Sequence, residues 1–388
     1  MLRSKQRLLR NLYPVFWVII GIALLRNPAF AETITCTDWS KVIPSAGIPA
    51  DIPLQKSLNN LDVAYFNGRY YLAFRTAPTH FPSGKAHLYV VSSTDRKNWR
   101  LDKEVFMKAD LREPRFCPMD TALYFYWFEG GSSPVSFQPQ RVWGSHVNLR
   151  GDWAADSDLH WDGFVPWRVR RRGLDMYMSA YWGRDLYNSS HQGQMRLLHS
   201  RDGYDWKPIS EEPQAGGQGG EEGEFLFDSK GNLWGTIRLE GAGAMVMYAD
   251  KDSLHRWRMW PTRDKYDSAL LFRHRDNIYL IARRNLDGPS ERGALLPGKI
   301  RRFYNLVRYS LTRKCTALWK LDTHSKKLVH LTDFPSTGDT AFPAVWEVSP
   351  GKFWVLNYSS DIQGKPKNWL RGQLGPTYIY EAMLEIRD

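Results

Sequence analysis

The stretch GEEGEFLFDSKGNLWGTIR, residues 220–238, sets a glycine-flanked acidic cluster before one strand and an arginine at the end of the next. Glu221, Glu222 and Glu224 are the carboxylates within reach of that arginine. Two-residue alternation puts Trp234, Thr236 and Arg238 on one strand face, so Arg238 can project from the strand end while its neighbours pack. Such a carboxylate–guanidinium pair can hold a polar ligand or move protons, and it can equally be a structural ion pair. Similar charges end other strands. Arg75 closes YYLAFR, DLREPRF carries Arg112 and Glu113, VPWRVRRR carries Trp167 and Arg168, and Asp339 stands in GDT. Arg112 and Glu113 read as an inter-blade ion pair or a clamp for a substrate hydroxyl. Trp167 and Arg168 could offer a stacking ring and a charge, and Asp339 most simply caps a turn.

These residues need a frame, and the chain supplies one by repetition. A tight turn followed by an aromatic, alternating strand recurs at Gly68, Asp120, Gly173, Gly231, Asn277 and Gly351, in steps of 52, 53, 58, 46 and 74 residues. Ser93-x-Asp95-x-x-x-Trp99 and Ser200-x-Asp202-x-x-x-Trp206 mark the ends of two repeats. In each, the Asp can cap turn amides while the Trp packs beneath. No long stretch keeps a 3.6-residue period, whereas two-residue alternation is frequent. Six four-stranded units of about fifty residues predict an all-β chain closed as a six-bladed β-propeller of antiparallel blades. Two β-sandwiches would give no reason to repeat one hairpin six times. Residues 285–303 read as a rim insertion and explain the longest step. The expected domains are a signal peptide at 1–31, an N-terminal lead-in at 32–58 and the propeller at 59–388.

The N-terminus joins a basic segment to an apolar run from Val15 to Leu25 and then Ala29-Phe30-Ala31. That run is short for a bilayer span, and A-x-A suits signal peptidase. Export to the periplasm or the medium is expected, with a membrane anchor if the segment stays uncleaved and no stable span once it is removed. Loss of Arg3, Lys5, Arg7, Arg10 and Arg26 takes the net charge from +12 to +7. The remaining basic groups are scattered among acids, which argues against nucleic acid as a partner. Cys36, Cys117 and Cys315 allow at most one disulfide. Spacing supports neither a metal cluster, nor a phosphate loop, nor a Ser-His-Asp arrangement. No cofactor is expected, and a monomer is.

The Ser-x-Asp…Trp turns resemble the Asp boxes of sialidase-type six-bladed propellers, each one residue shorter than usual. Glu222, Gly231, Leu233 and Arg238 fall at the spacing of a sialidase segment in which a Glu and an Arg sixteen residues on face the site. The phrases DVAYFNGRYYLAFR, ADLREPRF, SRDGYDW, EGEFLFDSKGNLWGTIR, GDTAFPAVW and VLNYSS resemble a bacterial branch of sialidase-like proteins of poorly defined activity. The likeness covers residues 59 to 388.

The resemblance implies three arginines gripping a carboxylate, a Tyr nucleophile activated by a Glu, and a carboxylic acid on the leaving group. Glu222 matches the Glu and Arg238 the second arginine. The third falls on Arg283 or Arg284, with Arg284 favoured, and Arg75 is a further candidate. The chain departs from the pattern elsewhere. Leu58 to Asp62 replaces the first arginine, Phe342 stands where the Tyr is expected, and the acid loop offers only His80. What remains suggests Asp62 and Glu222 as a carboxylate pair across the central funnel, with His80 and Tyr358 nearby and Arg75, Arg112, Arg168, Arg238, Arg284 and Asp339 binding substrate. Convergence of at least four of Asp62, Arg75, Glu222, Arg238 and Arg284 would mark one site.

The expected function is that of an exported carbohydrate-active protein, a glycoside hydrolase on a glycan that the arginines suggest is acidic. Two alternatives stay open. A glycan-binding propeller without catalysis needs no nucleophile, and a protein-interaction scaffold uses the same fold.

Overall fold

The first strand of five of the six sheets is buried along most of its length, and the inner strands of every sheet are more buried than its outermost one. In a computed structural model, which describes residues 32–133, 137–184, 194–216 and 220–387, there are six antiparallel sheets of four or five strands. Their first strands are Ser57–Phe66, Asp110–Pro118, Phe164–Arg172, Gly220–Phe227, Asp267–His274 and Thr340–Ser349. Each packs against the next around an axis, and the sixth packs against the first. The arrangement is a six-bladed β-propeller. The hairpin counted six times in the sequence is the inner pair of strands in each blade.

Position within a blade explains the composition of each strand. Second strands such as RYYLAFRTA and NIYLIARRN lie between two neighbours and bury most of their side chains. Fourth strands such as Arg100–Val105 and Lys327–Phe334 form the perimeter and are largely polar. Between the third and fourth strands of blades I and III sit the two Ser-x-Asp turns. Asp95 accepts the amides of Lys97 and Asn98, both at 2.8 Å. Asp202 accepts those of Tyr204 and Asp205 at 2.9 and 2.8 Å. Trp99 and Trp206 are buried beside them.

The segment read as a lead-in is instead part of the sixth blade. Thr33–Cys36 pairs with Leu384 to Arg387, and Ser40–Ile43 pairs with Ile379 to Glu381. Both lie outside the C-terminal strand Thr377–Arg387, so the two ends of the chain close the ring in one sheet. Without them that strand would present an open edge. The proposed signal segment, residues 1–31, lies outside the described residues, and among the described residues no helix is long and apolar enough to cross a membrane. All three cysteines are free thiols, with Cys117 and Cys315 buried.

Among the described residues, two helices depart from the β pattern. Helix α1, Gly298–Leu311, belongs to the insertion after the second strand of blade V, which therefore runs well beyond residue 303. Helix α2, Trp369–Leu374, follows the second strand of blade VI and is capped by Asn368, whose side chain accepts the Arg371 amide at 2.9 Å. The rings of Tyr309 and Trp369 meet edge-on with centroids 5.3 Å apart, which joins the two helices into a cap over one end of the axis.

Closure by the N-terminal strands makes a prediction. Deleting residues 32–43 removes the buried Val42 and Ile43, so losing their burial should cost about 3–6 kcal/mol in urea unfolding before the open edge is counted. An unchanged midpoint would contradict that role.

Candidate active site

The site is built by one irregularity repeated in every blade. Each first strand gains one residue against its neighbour, a β-bulge, between residues 59 and 61, 112 and 115, 166 and 168, 221 and 224, 267 and 270, and 341 and 344. In five blades a bulged residue takes a left-handed backbone: Asn60 (φ 42°), Glu113 (φ 54°), Glu222 (φ 48°), Ser268 (φ 50°) and Phe342 (φ 57°). Such conformations cost non-glycine residues about 1–3 kcal/mol each and persist only where the surroundings enforce them. All five line a single cavity of about 470 Å³ at the capped end of the axis. The blade III counterpart, Trp167, lies buried with its ring against Phe342 at 5.1 Å.

The bulged residues also bridge successive blades. Asn60 of blade I donates to Glu113 Oε1 of blade II at 3.0 Å. Glu222 Oε2 of blade IV accepts the Ser268 amide of blade V at 2.6 Å. The other Glu222 oxygen receives Arg238 Nη1 at 2.5 Å. Arg238 therefore meets Glu222 across its own hairpin, and it also touches Glu221, Glu240 at 3.2 Å and Asp267 at 3.5 Å. Lys265 lies 3.2 Å from Glu240 and 3.7 Å from Asp267.

Four carboxylates thus share a buried cluster with Arg238 and Lys265, and Arg283 stands 4.0 Å from Asp267. Burial of an excess of carboxylates favours retention of a proton. Burial pushes Glu221 well above the usual carboxylate range despite Arg238, and it pushes Glu222 up as well. Glu240 and Asp267 go the other way. Against the same burial, Lys265 and Arg238 hold Glu240 down to about 2, and Lys265, Arg238 and Arg283 hold Asp267 low. Tyr309 of α1 donates its hydroxyl to Asp267, which fastens the cap to the acidic floor.

Glu113 is the second carboxyl at the axis. Its partners are the Asn60 amide and, at 3.2 Å, Arg115. Burial, aided by the nearby Glu222 charge and opposed by Arg115, pushes Glu113 up to about 7. Glu113 therefore exchanges a proton near neutrality, while Glu222, raised by burial as well, receives an arginine and a backbone amide that oppose the rise. Two carboxyls of unequal surroundings in one cavity meet the requirement for a proton donor beside a base or nucleophile.

The opposite wall is neutral or fully paired. Asp339 accepts from Tyr358 at 3.0 Å and faces His80 Nδ1 at 2.7 Å. Burial lowers the His80 pKa despite Asp339, so the ring is neutral near pH 7. Arg112 lines the cavity, bonding Asp110 at 2.5 Å and the His80 carbonyl at 2.6 Å.

Of the residues expected from sequence, Glu222, Arg238, His80 and Arg112 line the cavity, as do Glu113, Glu221 and Arg283, whereas Asp62, Arg75, Arg168, Arg284, Tyr358 and Asp339 do not. Asp62 accepts the Phe116 amide at 2.8 Å and faces Arg168 at 3.5 Å, so it pins neighbouring blades below the bulge. Arg75 is wholly buried on Asp110 and the Leu111 carbonyl. Arg168 is held by Glu224 at 2.5 Å. Tyr358 and Asp339 lie behind the wall. Arg284 turns outward to Asp333 at 2.6 Å, and Arg283 takes the inward place, bonding the Thr340 carbonyl at 2.7 Å. Only two of the five residues expected to converge do so. Arg112 pairs with Asp110 and Glu113 with Arg115, so these neighbours do not pair with each other.

The residues that sequence reading missed are Glu113 as an axial acid, Glu240, Lys265 and Asp267 in the charge cluster, and Tyr309. For Tyr309 a signal existed. Asn305 and Tyr309 are four residues apart on the face of α1 opposite its apolar stripe, and both are buried.

The sequence matches no protein-family model and no curated protein. Its structure is similar to that of a protein of unknown function from Dyadobacter fermentans, with 14% identity over 91% of this chain and 99% of that one and a TM-score of 0.60. It is also similar to Trypanosoma rangeli sialidase in complex with sialic acid, with 11% identity, 91% of this chain, 58% of that chain and a TM-score of 0.60. The intramolecular trans-sialidase from Ruminococcus gnavus aligns at 10% identity over 84% of this chain and 94% of that chain, with a TM-score of 0.55. The chain spans little more than half of the trypanosomal protein and nearly all of the other two. With six four-stranded blades closed around one axis, the protein has the sialidase-like six-bladed β-propeller fold.

Proposed function

We propose that the protein is a glycoside hydrolase in which Glu113 is the general acid and Glu222 the base or nucleophile. The observation that carries this reading is the pair itself: two axial carboxyls from blades II and IV lining one cavity, one poised near 7 and one held by Arg238. Glu113 would give its proton to the glycosidic oxygen as the bond to the anomeric carbon breaks. Glu222 would take a proton from the attacking water or bond the anomeric carbon itself. Phe342 lines the same cavity with its ring packed against Trp167, an apolar face suited to one side of a sugar.

The charge pattern argues for a neutral sugar over an acidic one. Arg238, Arg283 and Arg112 are each engaged by carboxylates or carbonyls of the protein itself. A substrate carboxylate would have to displace one of those partners. The reading of residues 1–31 as a secretory signal supports action on glycans outside the cytoplasm. A protein that binds glycans without cleaving them would need the same cavity but no pair of unequal carboxyls.

Release of new reducing ends from neutral and uronic-acid oligosaccharides tests the proposal. Glu113→Gln and Glu222→Gln should each lower kcat by about 10²–10⁴-fold with the fold retained. Binding without product release, or full activity in both variants, would overturn it. Asp62→Asn should keep kcat and lower the unfolding midpoint instead, because Asp62 holds blades and not substrate.

The raised Glu113 pKa also sets a pH dependence. The folded protein holds that proton more tightly than the unfolded chain, so the contribution is full below about 4.5 and is lost as pH rises through about 7. Wild-type stability relative to Glu113→Gln should therefore fall by about 3 kcal/mol between pH 4.5 and 8. The wild-type kcat should decline above about pH 7, where the acid is lost. A flat stability difference over that interval would contradict the assignment.

A further inference from the structure

Helix α1 is folded inside out. Its polar residues Asn305 and Tyr309 point into the protein, where Asn305 donates to the Gly241 carbonyl at 3.0 Å and Tyr309 meets Asp267. Its apolar residues Ile300, Phe303, Tyr304, Val307 and Leu311 form one continuous stripe, at helical spacing, on the outside. Phe303 is 69% exposed and Ile300 57%, and Leu295 in the preceding turn is fully exposed. Leu370 and Leu374 of α2 extend the patch. Val307 and Leu370 also line the cavity, so the apolar surface reaches its mouth.

The charge around this patch is predominantly basic, with Glu291, 4.0 Å from Arg301, and Asp287, 2.8 Å from Arg313, at the start of the insertion. No Asp or Glu occurs between Glu291 and Asp322, a stretch that carries Lys299, Arg301, Arg302 and Arg308 on α1. None occurs between Asp361 and Glu381, where Lys365, Lys367 and Arg371 flank α2. Exposed leucine and aromatic side chains ringed by lysine and arginine are the composition of a helix that lies in the interface of an anionic membrane. Apolar side chains gain by leaving water for the acyl boundary, while each basic group near the surface contributes about 1 kcal/mol against anionic headgroups. A soluble face would gain nothing from keeping this stripe outside and two polar side chains inside.

We infer that the outward face of α1, with the adjoining end of α2, docks the mouth of the cavity onto an anionic lipid bilayer. The docked cavity opens at headgroup depth. The inference rests on exposure and charge alone and stands apart from the hydrolase reading.

Hydrogen exchange on the full chain tests it at the helix itself. With vesicles in which about a third of the lipid is phosphatidylglycerol, amide exchange in residues 298–311 should slow about tenfold. Phosphatidylcholine vesicles alone should leave it nearly unchanged, and an Ile300→Asp/Phe303→Asp variant with an unaltered melting point should lose the effect. No slowing with either vesicle, or equal slowing with both, would overturn the inference. So would protection that follows protein concentration without lipid, which would make the occupant a second copy. Protection already complete in the free chain, and lost on removing residues 1–31, would make the occupant the chain's own apolar segment and equally overturn it.

Discussion

The bulge in the first strand of each blade is the constraint on which the site depends. Without the extra residue, the inner strands would send alternate side chains to the two faces of each sheet, into the packing between blades. The extra residue breaks that alternation once, at the end of the strand where the six blades converge. One side chain per blade is thereby turned toward the axis. Five of the six adopt a left-handed backbone, and inter-blade hydrogen bonds such as Asn60 to Glu113 and Glu222 to the Ser268 amide fix them. Ring closure and site formation are one event in this geometry, since the contacts that hold the bulges join neighbouring blades.

Electrostatics follow from that crowding. The bulges of blades II and IV bring carboxyls to the same cavity, and blades IV and V add Glu221, Glu240 and Asp267 around Arg238. The interior cannot ionise them all. Lys265 and Arg238 settle Glu240 and Asp267 as anions, and the remaining proton affinity collects on Glu221, Glu222 and Glu113. Tyr309 links this balance to the cap, because its hydroxyl reaches Asp267 from the helix whose outer face is apolar. The cap therefore completes the acidic floor inwardly and presents the membrane-seeking surface outwardly.

The fold was legible because turn chemistry and two-residue alternation are local, and their sixfold recurrence leaves few architectures. Glu222 and Arg238 were legible for a related reason: they lie at corresponding ends of one hairpin, where short-range spacing suffices. Asp62 does not line the cavity. It is expected in the funnel because it stands where the resemblance puts the first arginine, but it lies two residues past the bulge at Asn60 and pins the Phe116 amide of the next blade. Arg283 and Arg284 were exchanged because alternation says only that one faces inward, and which one depends on pairing with Asp267 across the sheet. Residues 33–43 carry no mark of closing the sixth blade, since their partners lie at the other end of the chain. The cap helix escaped notice because its polar face is the buried one.

Carbon-13 NMR of the glutamate side-chain carboxyls tests the central claim most directly, with Glu113→Gln identifying its resonance. The account predicts a Glu113 titration midpoint near 7, with a Glu222 signal that responds as Glu113 ionises. A Glu113 midpoint near 4.5, the ordinary value for a glutamate, would contradict it.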